Sequence, residues 1–445
     1  MASLKILVTR DSRQTVIVLG AGPAGLTAAY RLARHGLRVT VLTPSARIGE
    51  HLRRESDPPA VILGCHRATW ALLNALGIRP AQPDFAEAQL EFLLPSGRAV
   101  YYPKTRFPTP IQQLLTIGRF SGLRAGERWK LLSWLEQLWE GSLELPADLE
   151  QRTAESWLES LSHGPSSRQT VWAPLARWLT GNDLGDLSAD AFVMALKPFF
   201  LSHAADSRIW VPRQAWDRTF VQPVTDALAK AHATICAGMR AVQFEYHDDR
   251  ITGLRVKDGT TLQADWYVAA VPPRDLTALL PERWLSRYAY FQQIADLETI
   301  VDAVIQVRTV ERITSPRHIM LGAGPFNWIA CKPSQFDGGL VAMLTMPQDQ
   351  PVTDTIQRIS ALLRSLNLLQ PDRQITGFRQ EDRAHAWLAL PPGTKVRRPM
   401  QRSPISNLLL AGAWTDTGWP ANLESAIISG ERCAQIILRR ECPAH

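Results

Sequence analysis

Residues 15–42 restrict the fold more than any other stretch of the chain. Thr15-Val16-Ile17-Val18-Leu19 is a short, β-branched apolar run, which reads as a buried strand. Gly20-Ala21-Gly22-Pro23-Ala24-Gly25 follows it, and apolar residues then recur at Leu26, Ala29, Leu32 and Ala33 with helical spacing. His35-Gly36 ends that helix, and Leu37 to Leu42 returns as a second strand. Strand, glycine turn, helix and strand in so short a span make a βαβ unit, whose crossover demands a parallel sheet.

The glycines of this unit have separate duties. Gly20 permits the tight turn, Gly22 lets the backbone approach a pyrophosphate, and Gly25 lets helix and strand pack closely. Pro23 and Ala24 open the helix, whose N-terminal amides and partial positive charge suit phosphate. The plainer alternative is a turn whose glycines serve only the fold. A dinucleotide site usually carries an acid about 20 residues further on, accepting from the ribose hydroxyls. Thr43 stands there instead, and it can accept only without the charge that strengthens such a bond.

Further along, Ala241–Tyr246, Thr252–Lys257 and Thr261–Ala264 read as a small antiparallel meander, and Trp266–Val271 as an apolar strand stopped by Pro272-Pro273. Strands are also expected at Thr299–Val307 and Gly339–Thr345. Leu408 to Ala411 is a further buried strand, followed by Gly412-Ala413-Trp414, Gly418-Trp419-Pro420 and an amphipathic helix from about Asn422 to Arg439. No repeat or low-complexity segment interrupts this pattern.

At 445 residues the chain suggests about three domain-sized units. Apolar residues at 45% and charged residues at 20% exclude intrinsic disorder. No apolar run approaches the ~18 residues of a spanning helix, and Leu4 to Val8 is too brief for a signal-peptide core. Five scattered cysteines (65, 236, 331, 433 and 442) without a C-x-x-C pair argue against disulfides and zinc and suit a reducing cytoplasm. The formal charge is +7. Within 101–135, Lys104, Arg106, Arg119, Arg124, Arg128 and Lys130 face only Glu127. Trp129, Trp134 and Trp139 fall in the same region, and residues 107–141 interleave these groups with Phe107, Ile111, Leu114, Leu115, Leu131, Leu135 and Leu138. That reads as an interfacial patch for anionic lipid, with two ordinary core helices as its alternative. No aromatic and basic alternation suggests nucleic acid. Histidines show no metal spacing and no serine lies in G-x-S-x-G. His66 reads as packing or capping within its helix. Asp416 reads as a turn residue, with protonation of a leaving group as the sharper alternative.

Val16 to Leu42 with Arg47-Ile48-Gly49, and Leu408 to Ile437, resemble the FAD-binding segments of the flavin amine oxidase and phytoene desaturase superfamily. More narrowly, Leu63-Gly64-Cys65-His66-Arg67-Ala68-Thr69, the Trp172–Leu175 to Leu187–Ala189 block, Trp210-Val211-Pro212-Arg213 and Trp414-Thr415 with Thr417-Gly418 resemble the hydroxysqualene dehydroxylases. The resemblance implies an α/β fold: a Rossmann-like, glutathione-reductase-type FAD-binding lobe from residues 15–84, 213–275 and 400–440, with an inserted α+β substrate lobe from 85–212 and 276–399. It implies FAD held by Gly20, Gly22, Pro23, Ala24, Gly25, Thr43, Arg47, the strand at Ala241, Gly412 beside the ribityl chain, and the Leu423 amide facing the flavin pyrimidine. The implied substrate is a long isoprenoid drawn from the inner face of the cytoplasmic membrane, with hydride transfer carried by the cofactor.

Several family positions differ here: Glu50 and His51 replace Gly-Arg, Pro58-Pro59-Ala60 replaces a glycine-glutamine-histidine, and Ala413 replaces an aspartate. The leading expectation is reduction of hydroxysqualene to squalene. Its rivals are a carotenoid desaturase or amine oxidase of the same fold, and a non-catalytic relative that binds isoprenoid or an isoprenoid-synthase partner.

Overall fold

The computed structural model describes residues 14–49, 61–79, 85–94, 99–101, 111–139, 145–200, 205–309, 318–322, 328–333, 340–347, 355–365, 369–372 and 374–441. The expected parallel sheet is present, with five strands in the order Leu408–Leu410, Trp266–Ala269, Thr15–Leu19, Arg38–Thr43 and Thr234–Ala237. The first strand lies at its centre, pairing Val16 with both Val39 and Trp266. Val16 to Leu19 are each at most 4% exposed, because both faces of a parallel sheet are covered.

Strand periodicity sorts these side chains between two cores. Val16, Val18, Val39, Val41 and Val268 join one cluster with Leu26 and Ala29 of helix Pro23–Arg34 and Ile427 and Ala434 of helix Leu423–Glu441. Ile17, Leu19, Tyr267 and Ala269 face the other way, toward Phe244, Ile251 and Leu254. Those three belong to the antiparallel meander Ala241–His247, Arg250–Val256 and Thr261–Leu262. The two helices cross closely at Gly430, where an added Cβ would lie 2.3 Å from the Ala24 carbonyl oxygen.

A second, mixed sheet joins Gly377–Leu388, Thr299–Thr309, Leu340–Pro347, Trp328–Pro333, His318–Leu321, Phe85–Leu93, Ile209–Pro212 and Ile62–Leu63, in that order, with Ala99–Tyr101 beside Phe85–Leu93. Its last strand feeds helix Arg67–Ala75, which returns to the first lobe; there the Tyr30 hydroxyl donates to the Ala75 carbonyl at 3.2 Å. Helices Ile111–Arg119, Ala125–Trp139, Ala154–Ser160, Ala173–Thr180 and Ala189–Phe200 complete the second lobe. Among the described residues, no helix is long and apolar enough to cross a membrane.

Candidate cofactor site

Three carboxyl ends of the parallel sheet converge, the position where open α/β sheets bind ligands. Gly20 follows the first strand at φ +105°, and an added Cβ would stand 2.2 Å from the Ala270 carbonyl oxygen. At Gly25 it would stand 2.0 Å from the Gly20 carbonyl oxygen. Both positions therefore require glycine for the fold itself. Gly22 is different: it caps the helix without a side-chain bond, and a Cβ there would meet nothing within 4 Å. Pro23 fills the first helical position, and Leu26 N–H is the first to bond inside the helix, to the Gly22 carbonyl at 2.9 Å. The amides of Ala24 and Gly25 precede that bond and stand at the helix N-terminus beside open space. This cradle fits a pyrophosphate.

Thr43 ends its strand 6% exposed and pairs with Ala237. One turn on, Gly238 N–H donates to the Ser45 carbonyl at 2.9 Å, which ties the loop bearing the exposed Arg47 to the chain leading into half-buried Ala241. The chain after Thr43 and the chain before Ala241 thus meet at this bond. Glu50, His51 and 58–60 lie outside the described residues.

On the other side, Gly412 adopts φ +153° and donates from its N–H to Ser429 Oγ at 2.8 Å. A Cβ there would collide with the Trp414 indole at 2.3 Å. The glycine is needed for that indole, a reason separate from passage of a ribityl chain. Leu423 opens the last helix, where Asn422 Oδ1 accepts from Ser425 N–H at 3.0 Å as an N-cap.

Sequence reasoning did not single out the groups that hold this loop. Arg398 is buried and donates to the carbonyls of Trp414, Trp419, Ala413 and Thr415 at 3.3, 2.7, 2.9 and 2.7 Å. Burial lowers its guanidinium to about 10, against the opposing pull of Asp416 and Glu150, so it stays charged at neutral pH. Gln401 Nε2 donates to Thr415 Oγ1 and the Asp416 carbonyl, both at 3.0 Å. Arg432 donates to the carbonyls of Asp416 and Thr417 at 2.9 and 3.1 Å. The carboxylate of Asp416 accepts from Gly418 N–H at 3.1 Å, a turn contact.

Glu424 joins the last helix to helix Arg67–Ala75. It is 1% exposed and accepts from Ala68 N–H, Thr69 N–H and Thr69 Oγ1 at 2.7, 2.9 and 2.6 Å. Burial raises its carboxyl above the usual range, opposed by those three donors. It therefore caps helix Arg67–Ala75, a duty that His66 at the N-cap position does not perform. His66 Nδ1 instead accepts from Leu63 N–H at 3.3 Å, and its ring meets the Trp419 ring edge-on with centroids 5.6 Å apart. Cys65 beside it is pushed up to about 12 by burial and by Asp206 and Glu424, so it is an inert thiol. Among the described residues no group of three or more His, Cys, Asp or Glu could hold a metal.

Comparison with known proteins agrees with this geometry. The chain matches the flavin containing amine oxidoreductase family over residues 23–438. It is 24% identical to a probable zeta-carotene desaturase of Synechococcus elongatus, covering 96% of this chain and 99% of that one. It is 22% identical to the 15-cis-phytoene desaturase of Arabidopsis thaliana, covering 95% and 80%. Among solved structures, a putrescine oxidase redesigned in its cofactor binding superposes with a TM-score of 0.72 at 16% identity, over 96% of this chain and 99% of that one. The chain belongs to the flavin containing amine oxidoreductase family and is an FAD-dependent oxidoreductase.

Proposed function

We propose that this oxidoreductase acts on a long isoprenoid, and that its reaction is the reductive removal of the hydroxyl of hydroxysqualene to give squalene. One observation carries the finer reading. Three segments that resemble hydroxysqualene dehydroxylases, far apart in sequence, come together through residues at their edges. Ile62 and Leu63 pair with Trp210 and Ile209, and Trp70 meets Trp210 edge-on. His66 in turn packs on Trp419, directly after the Trp414–Gly418 segment.

In this reading Gly20, Gly22, Pro23, Ala24 and Gly25 hold the pyrophosphate, while Thr43, Arg47 and Ala241 take the adenosine side. Gly412 and Leu423 take the flavin side. FAD, when bound, supplies hydride chemistry. The net change is addition of one hydride to the allylic carbon, rupture of its C–O bond, and departure of the hydroxyl with one proton as water. Arg398, Gln401 and Arg432 keep the loop rigid so that the reacting edge excludes solvent. A cavity of about 350 Å³, lined by Leu131, Trp157, Leu158, His163, Trp172 and Leu196, is a candidate seat for part of the chain of such a substrate. The exposed face of helices Ile111–Arg119 and Ala125–Trp139 would dock the protein on anionic lipid.

Anaerobic incubation of chemically reduced, FAD-loaded protein with hydroxysqualene, followed by mass analysis, should yield squalene. Desaturation is the second reading, favoured by the carotene desaturases among the relatives. It would show as bleaching of oxidised flavin by phytoene or zeta-carotene, with no squalene in the first assay. Peroxide from a primary amine with neither reaction would overturn both.

A further inference from the structure

The cavity of about 350 Å³ beside helix Ala125–Trp139 has polar groups that a hydrocarbon chain leaves unused. Its walls are apolar at Trp157, Leu158, Trp172 and Leu196, while Lys130 and His163 also line it. Lys130 is exposed and forms no ion pair with any described residue. His163 is 5% exposed. Trp172 Nε1 donates to its Nδ1 at 3.3 Å, so the ring proton sits on Nε2. That Nε2 bonds to no described residue, and unlike the Nε2 of His66 it is not sealed from accessible space. The little surface this ring keeps adjoins the cavity.

Two local irregularities of the backbone place these groups. Ser162, a non-glycine residue, holds a left-handed φ of +60°, a strained conformation that recurs at ligand clamps. It turns the chain after helix Ala154–Ser160 so that His163 N–H reaches the Leu158 carbonyl at 3.0 Å. Arg168–Trp172 winds as a π-helix that ends on the tryptophan holding the imidazole, a form frequent at functional sites. Glu127 accepts from Gly164 N–H and Ser167 Oγ at 2.9 and 2.7 Å, which fastens this turn to the helix that carries Lys130. Burial holds the imidazole below its ordinary range, against the pull of Glu127 and with the Lys130 ammonium adding to the shift. The ring is therefore a neutral donor close enough to feel the lysine charge. A cation and an N–H donor near each other on an apolar cavity are the donor set for an oxyanion.

We infer that this cavity binds a single-chain anionic amphiphile. Its carboxylate or phosphate oxygens accept from Lys130 Nζ and His163 Nε2–H, while its chain lies on Trp157, Leu158, Trp172 and Leu196. A neutral isoprenoid would use the same walls but leave both donors unused. The anionic amphiphile is thus not the molecule that reacts at the flavin; where the isoprenoid chain also enters this cavity, as proposed above, the two compete. Binding itself rests on the cavity alone and not on which isoprenoid is reduced.

Calorimetric titration of the FAD-loaded protein with decanoate, decyl phosphate and decanol, each below micelle formation, tests this. At least one anion should bind at a single site about tenfold more tightly than decanol, and the tighter anion identifies the head group. Lys130→Gln should weaken the anions about tenfold and leave decanol unchanged, and Lys130→Arg should restore most of the loss. Because Lys130 is exposed, these variants should fold as the parent does. His163→Phe should act in the same direction, with His163→Gln recovering part. Leu196→Trp, which fills the cavity, should abolish binding of all three while the flavin spectrum is kept. Equal affinity for decanol would reduce the cavity to a seat for neutral chains and overturn the inference, leaving the squalene assay untouched. So would equal weakening by Lys257→Gln, an exposed position beside the meander of the other lobe, because it would mark adsorption to a basic surface.

Discussion

A guanidinium bonded to carbonyl oxygens rather than to a carboxylate gains no ion pair, so Arg398 is favourable only through the bonds it fixes. Arg398→Met would leave four backbone carbonyls short of a donor and should lower unfolding free energy by roughly 3 kcal/mol or more in urea titration. Arg398→Lys, with three donors in no fixed plane, should recover only part. Nothing in the run Lys395-Val396-Arg397-Arg398 distinguishes this arginine from its neighbour, because its partners lie 15 to 21 residues on in an irregular loop. Gly22 was legible, since the motif itself assigns it open space. Gly22→Val should therefore leave apo-protein stability nearly unchanged while abolishing FAD retention. Gly20→Val or Gly25→Val should break the fold, because their added atoms strike backbone. A Gly22→Val protein that still purifies yellow would refute this division. His66 adds a pH signature: its folded value near 3 lies below its ordinary 6.5, so the unfolded chain binds more protons between those values. Stability should fall as pH drops, by roughly 2 kcal/mol from pH 7 to pH 5, and His66→Gln should flatten that limb of the curve.

Elements with local periodicity were readable, whereas their assembly was not. The strand, turn and helix of residues 15–42 announce themselves within a few residues. The parallel pairing of Phe85–Leu93 with His318–Leu321 joins segments over 200 residues apart, and no spacing rule reaches so far. Glu424 has the same character: it lies within the segment Leu408 to Ile437, but its partners are 355 and 356 residues away. Its carboxylate meets the positive end of helix Arg67–Ala75 while occupying the first turn of its own helix, so two helix dipoles favour one buried charge. Glu424→Ala should cost about 2–3 kcal/mol, the worth of a lost cap with buried donors left unpaired. It should also loosen FAD, because it frees the N-terminus of helix Arg67–Ala75 from the last helix at the proposed flavin end. Equal FAD affinity in a destabilised variant would confine Glu424 to the fold.

For the whole molecule, the distribution of charge matters more than its sum. Glu127, the one acid among residues 101–135, is buried and turned inward, accepting from Arg124 N–H, Gly164 N–H and Ser167 Oγ at 3.0, 2.9 and 2.7 Å. Arg119, Arg124 and Lys130 remain exposed around Ile111, Leu114 and Trp129, which are 47%, 40% and 75% exposed. Glu136 is the next exposed acid on the same helix. Phe107 and the side chains of Trp134, Leu135, Leu138 and Trp139 lie outside the described residues. Arg128, counted with the basic set from sequence, donates to the Gly118 carbonyl at 2.7 Å and so joins the two helices; it is best left intact in a test. Near a lipid surface each basic residue is worth ~1 kcal/mol, so Arg119→Gln, Arg124→Gln and Lys130→Gln together should weaken binding to anionic vesicles about 100-fold at low salt. High salt should erase most of that difference by screening. Trp129→Ser should weaken binding at both salt concentrations, because an apolar contact is not screened. The cavity lined by Lys130 and Leu131 lies on this same helix, so under the proposed function docking would set it beside the bilayer. Equal co-sedimentation of the triple variant and the parent at low salt would exclude the docking face, while leaving the flavin chemistry untouched.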